Sequence, residues 1–168
     1  SLDLFQLQVS RAPGDGDGVG FLTKVDFGKT ANRLREFTDW NGDGIFGDTP
    51  QETNDIELQE AYITYNFPGL PDFQILGGKF ATPIGAEVIE SPLNYNVSRS
   101  LQFSWAGPFT HVGATASYAF APEFNMMLGV VNGWDNVIDS NDGKSVIGSI
   151  NINPVPEFGM KVAGLYGP

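Results

Sequence analysis

Apolar and polar residues alternate with a period of two along most of this chain, and that pattern admits strands and little else. It is cleanest in Phe109–Phe120, where Val112, Ala114, Ala116, Tyr118 and Phe120 face one way and His111, Gly113, Thr115, Ser117 and Ala119 the other. Successive side chains of a strand point to opposite faces, whereas a helix would repeat every 3.6 residues. The same reading predicts strands over Leu2–Ser10, Val19–Gly28, Ile56–Phe67, Phe73–Pro83, Phe124–Trp134, Ser145–Asn153 and Phe158–Tyr166. The first sets Phe5, Leu7 and Val9 against Gln6, Gln8 and Ser10, and the second sets Phe21, Thr23, Val25 and Phe27 against Lys24 and Asp26. The fourth sets Leu76, Gly78 and Phe80 against Gly77 and Lys79.

The connections alternate as well. Arg11–Gly18, Pro68–Asp72, Ala121–Glu123 and Pro154–Glu157 are short, while Lys29–Asp55, Ile84–Pro108 and Asp135–Lys144 are long. In an up-and-down meander, alternate connections lie at the same end, so one end carries tight turns and the other carries loops. Outer-membrane barrels have this layout, with short periplasmic turns and long extracellular loops. Phe67, Phe73, Phe120, Phe124 and Phe158 fall beside the short turns, and Phe80, Phe109 and Trp134 fall nearer the loops, as interfacial aromatic girdles require. Alternation alone also suits a soluble β-sandwich, whose strands have one apolar face. The loop asymmetry and the small, polar second face favour an all-β, antiparallel, up-and-down transmembrane β-barrel, with about eight strands of a larger barrel in a single domain over residues 1–168.

Composition narrows the function. Only 17% of the 168 residues are charged, and no apolar run approaches the roughly 18 residues of a membrane helix. With no cysteine, disulfides and thiolate-bound metals are excluded. The net charge of −11 argues against a nucleic-acid partner. The acids gather at Asp15 to Asp17, Asp39 to Asp55 and Asp135 to Asp142, where solvated loops are expected.

Three blocks carry a family likeness: Gly78-Lys79-Phe80-Ala81-Thr82-Pro83-Ile84-Gly85; Ser91-Pro92 with Asn94 and Asn96-Val97-Ser98-Arg99-Ser100; and Val130-Val131-Asn132-Gly133-Trp134-Asp135. In this order they resemble the OmpL-like family of β-barrel porins, over about Gly77 to Gly148. The resemblance implies a single-chain barrel in the bacterial outer membrane with more strands than are read here. Its partners would be outer-membrane lipid and small solutes or ions, with a second copy or an envelope protein as further candidates. Ser1-Leu2-Asp3 begins without a leader, and Leu165-Tyr166-Gly167-Pro168 is not a terminal aromatic strand, so an internal fragment is expected.

No catalytic constellation emerges. His111 is the sole histidine, too few for a triad or a zinc site, and Glu87 with Glu90 is one of many carboxylate pairs among twenty acids. Gly14 to Gly20 lacks phosphate-loop spacing and is followed by a strand. Asp39, Asn41 and Asp43 occupy positions 1, 3 and 5 of an EF-hand-like loop, and Gly44 occupies position 6. Position 12 is Pro50, so Asp48 or Glu52 would have to complete a Ca²⁺ site; the alternative is an acidic turn without an ion. No other cofactor is called for.

The Ile84–Pro108 connection holds Glu87, Glu90 and Arg99 with Tyr95, Phe103 and Trp105. Loops of this length are usually functional or disordered. It either folds inward to narrow a pore or packs over the rim. The pore candidates are therefore Glu87, Glu90 and Arg99 on the loop, with Lys79, His111 and Lys161 on strands; alternation adds Lys24, Asp26 and Glu60 on the lumen side. The expected function is passive diffusion of small hydrophilic solutes or ions. The rivals are an envelope scaffold with an occupied lumen and a soluble β-sandwich with a calcium loop.

Overall fold

A computed structural model describes residues 3–14, 18–36, 55–96, 98–139 and 143–168. Eight strands form one antiparallel sheet in chain order: β1 (Phe5–Arg11), β2 (Val19–Phe27), β3 (Ile56–Phe67), β4 (Leu70–Ala81), β5 (Thr110–Ala121), β6 (Phe124–Val131), β7 (Ser145–Val155) and β8 (Phe158–Tyr166). The sheet is open, with β1 and β8 as its edges. Helix α1 (Lys29–Glu36) follows β2, and the short helix α2 (Leu101–Trp105) lies between β4 and β5. The described residues form one sheet, whereas a β-sandwich needs two packed face to face.

The turn end is built from a recurrent device. Pro68-Gly69, Pro122-Glu123 and Pro156-Glu157 are two-residue connections with proline first. Proline sets φ near −65°, so the turns cannot be of the primed types that match strand twist. At Pro68-Gly69 the second residue has φ 87°, the type II geometry that glycine satisfies. Each hairpin then shows a register shift beside its turn, at Asn66/Phe67, Ala119/Ala121 and Ile152/Val155. A bulge there adds the twist that the turn lacks. Rings accumulate at this end. Phe67 lies 5.3 Å from Phe73, and Phe120 lies 4.8 Å from Tyr118 and 5.2 Å from Phe124.

The two faces are inverted relative to a soluble sheet. One face bares Leu7, Ile63 (61% exposed), Leu128 (57%), Val146 and Val162 (59%). On the other, Asp26 (0%), Gln59 (1%), Thr115 and His111 (1%) are buried. Burying polar groups while leaving branched aliphatic side chains uncovered is unfavourable in water and favourable in a bilayer.

Strand β4 departs from its expected facing. Leu76 pairs with Thr115 and Phe80 with His111, so both lie on the polar face, while Ile75 joins the apolar face beside Ala116. There Phe80, Val131 and Ile147 form a buried cluster with Tyr62, Leu76, Met127 and Leu165. The expected loop-end girdle is corrected in part: Phe80 and Phe109 are buried inside the protein and do not face outward. Towards the loop end of β4, Gly78 has φ 135°, and a Cβ there would lie 2.3 Å from Ala61 O. Only glycine lets β3 and β4 approach this closely.

Candidate functional site

The segment between β4 and β5 folds onto the polar face. Its base is closed by Thr82 N donating to Phe109 O at 3.0 Å. Asn94 ties it internally: its Oδ1 accepts from Val88 N and its Nδ2 donates to Val88 O, both at 2.8 Å. Ser100 caps α2 by accepting from Phe103 N at 3.1 Å, and Glu87 accepts from Ser100 N at 3.1 Å. Arg99 Nη2 donates to Ile89 O. Leu34 of α1, Ile89 and Phe109 pack as one buried cluster with Phe103 against it, which anchors α1 to the same segment.

The three blocks singled out in the sequence are its fasteners. Thr82 Oγ1 lies 3.0 Å from His111 Nε2, and His111 Nδ1 lies 2.9 Å from Gly133 O. Asp135 Oδ1 accepts from Phe109 N at 2.6 Å and Thr110 N at 2.8 Å. One histidine and one aspartate thus tie the ends of β4 and β5 to the segment after β6.

At the far side of the fold-over, Glu90 reaches three strands. Its Oε1 accepts from Lys24 Nζ at 2.8 Å, Gln59 Nε2 at 3.1 Å and Gln6 Nε2 at 3.3 Å. Lys24 also pairs with Glu60 Oε1 at 2.8 Å. Gln6 donates to Asp26 Oδ1 at 2.9 Å and Gln59 Oε1 at 2.8 Å. A bulge makes this density of polar groups possible. Lys24 pairs with Glu60 but Val25 pairs with Leu58, so Gln59 is the extra residue, and both it and its neighbour Glu60 are buried. Burial alone would push the Glu90 carboxyl up, but hydrogen bonds from Lys24, its own backbone N–H and Gln59 outweigh it and hold the group below its ordinary value.

Between this polar floor and the folded-over segment lies a cavity of about 290 Å³. Lys24, Glu60, Glu87 and Glu90 supply its charge, and Ile84, Val88, Phe103 and Phe109 supply apolar wall.

Lys24, Glu60, Glu87 and Glu90 therefore line one cavity, and Arg99 is tied to the same segment through Ile89 O. Arg99 makes no ion pair with Glu87 or Glu90; its bonds go to the loop's own backbone. Lys79 is buried, with Nζ 2.7 Å from both Glu57 Oε1 and Leu58 O, and His111 is buried with both ring nitrogens engaged. Neither offers an open charge to a passing solute. Lys161 lies apart on β8, exposed and paired in register with Asn151. Asp39, Asn41, Asp43 and Asp48 lie outside the described residues. Among the described residues no group of three or more acids and histidines gathers to hold a metal.

Gln6, Gln59, Asn94 and Asp135 were not predicted. Asp135 stood among acids expected to be solvated, yet it is buried, at a φ of 55°. Burial pushes its carboxyl up to about 7, with hydrogen bonds from Thr110 and Phe109 and the charge of Lys79 offsetting only part. A raised carboxyl binds its proton more tightly when folded. Its contribution is full below the unfolded value near 3.8 and is lost as pH rises through about 7. Over that window the change is on the order of 4 kcal/mol at most. Urea unfolding in detergent between pH 4 and 8 should show stability falling with rising pH, and Asp135→Asn should flatten the profile. An unchanged slope in that variant would assign the titration elsewhere.

Comparison with known proteins places this arrangement. No curated protein and no solved structure matches the chain. The family model described as "Putative beta-barrel porin-2, OmpL-like" matches residues 1–168, well beyond the three blocks. With an up-and-down antiparallel sheet, an apolar outer face and a polar inner face, the chain belongs to the OmpL-like β-barrel porin family.

Proposed function

We propose that this protein is an outer-membrane pore for passive diffusion of small hydrophilic solutes or ions, narrowed by the segment between β4 and β5. One observation carries the reading: Glu90, in that segment, is bonded to Gln6, Lys24 and Gln59 on the polar faces of β1, β2 and β3. A loop drawn onto the inner wall sits where solutes pass, and charges in a narrow, partly desolvated path act more strongly than in bulk water. No bond is broken in such a process, so no catalytic residue is required. In hydrocarbon, the edge groups of β1 and β8 need hydrogen-bond partners, which further strands or a second copy would provide.

The full-length protein refolded into planar bilayers should give stepwise, ohmic conductance. A folded, membrane-inserted protein without conductance would instead favour a scaffold with an occupied lumen.

A further inference from the structure

At the long-loop end, Asp3, Lys29, Thr30, Arg33, Ser98, Arg99 and Ser104 line a second pocket, of about 450 Å³. The whole chain has nine lysines and arginines, and three of them meet here. Lys24, Lys79 and Lys144 each face a carboxylate. Among the described residues, Lys29, Arg33 and Arg99 make no ion pair. Asp3 is the pocket's one described acid, which leaves its described side chains a net charge of +2 (three cations less one carboxylate).

Arg99 points to a ligand more directly. Its Nη2 is used on Ile89 O, and its guanidinium lies over Phe103, 4.9 Å from the ring centroid. Its Nε is buried and has no hydrogen-bond partner. A buried donor without an acceptor is unfavourable and is normally satisfied. Burial and then the nearby Arg33 push the Arg99 guanidinium below its ordinary value, with Asp3, Glu87 and Glu90 opposing. An anion would relieve that repulsion. Ser104 Oγ accepts from Arg33 Nη2 at 3.2 Å, which leaves its own proton to donate. Thr30 and Ser98 bring further hydroxyls to the same pocket.

We propose that this pocket binds a phosphate group or an oxyanion of the same shape, held by Lys29, Arg33 and Arg99 with the hydroxyls of Thr30, Ser98 and Ser104. Guanidinium forks suit tetrahedral oxyanions, because they give paired, charge-assisted hydrogen bonds. If the pore reading holds, such a site would gather anionic solutes at the mouth of a protein whose overall charge repels them; only that consequence rests on the pore. The phosphate could be a free solute or the headgroup of a lipid.

The test is calorimetric titration of the full-length protein, refolded in detergent at low salt, with inorganic phosphate. Saturable heat is expected, weakened about tenfold in Arg33→Gln and in Arg99→Gln, as loss of a charge-assisted bond implies. Arg99→Lys should fall between, and Lys144→Gln should bind like the parent. A second arm uses phosphatidylcholine vesicles with and without monophosphoryl lipid A. Selective binding there, lost in Arg33→Gln/Arg99→Gln, with no heat from inorganic phosphate, assigns the site to a lipid headgroup. Binding of neither, or equal binding by a double variant that refolds normally on gels, overturns the proposal. Conductance with binding of neither probe defeats this inference alone, and binding of either probe without conductance defeats the pore alone.

Discussion

Ala116→Arg is expected to destabilise the folded protein by about 2–4 kcal/mol, the range for a cation on the lipid face near the bilayer midplane. Ala116 lies mid-strand in β5, paired with Ile75 on one side and Leu128 on the other. That row continues into Gly148 of β7, and the neighbouring rows of the same face carry Val130, Val146 and Val162. A guanidinium there has no counter-ion and must snorkel or thin the bilayer. Ser117, one residue on, pairs with Gln74 and Met127 on the polar face, so Ser117→Arg should be far milder. Unfolding in urea from lipid vesicles measures both. Equal costs at the two positions would mean that the apolar face is not against lipid.

Under the proposed pore function, Lys24→Met should raise conductance more than any single change in the folded-over segment. Lys24 Nζ is shared by Glu60 and Glu90, each at 2.8 Å. Without the ammonium, two partly buried carboxylates are left facing one another with no cation between them, and like charges at that range repel. Glu90→Gln removes one charge but keeps an acceptor for Gln6 and Gln59, so its effect should be smaller and in the same direction. Under the pore reading, single-channel conductance should rise about twofold or more in Lys24→Met, as expected where a constriction limits flow. The pH dependence has a defined sign. Glu90 is held below its ordinary 4.5, so its tie is present above the unfolded value and lost as pH falls through the lower, folded one. Parent conductance should therefore rise at acid pH towards that of Lys24→Met, which should respond less. Conductance unchanged in both variants would place the segment outside the solute path.

The strands were legible because their signal is local. A period of two does not depend on what the strand touches, so all eight appear, with ends shifted by a few residues at most. The turn end was legible too, since short and long connections alternate along the chain and their lengths need no tertiary information. Strand β4 was misread where the local signal is weakest. Gly77 and Gly78 carry no side chain to mark a face, and Phe80 fits an inner apolar cluster as well as it fits lipid.

The inward course of the segment after β4 is a tertiary matter. It depends on Glu90 meeting Lys24, 66 positions earlier, and on a bulge that buries the extra residue Gln59 beside Glu60. The sequence placed acids, a lysine and glutamines at intervals that carry no periodic relation. Asp135 shows the same limit, since only the return of β5 beside it turned an expected surface acid into a buried clamp. Alternation and connection length therefore determined the sheet and, outside β4, its two faces, because each is a local property of the chain. Long-range packing decided which buried charges meet and where the loop lies, because those energies exist only once distant strands are side by side.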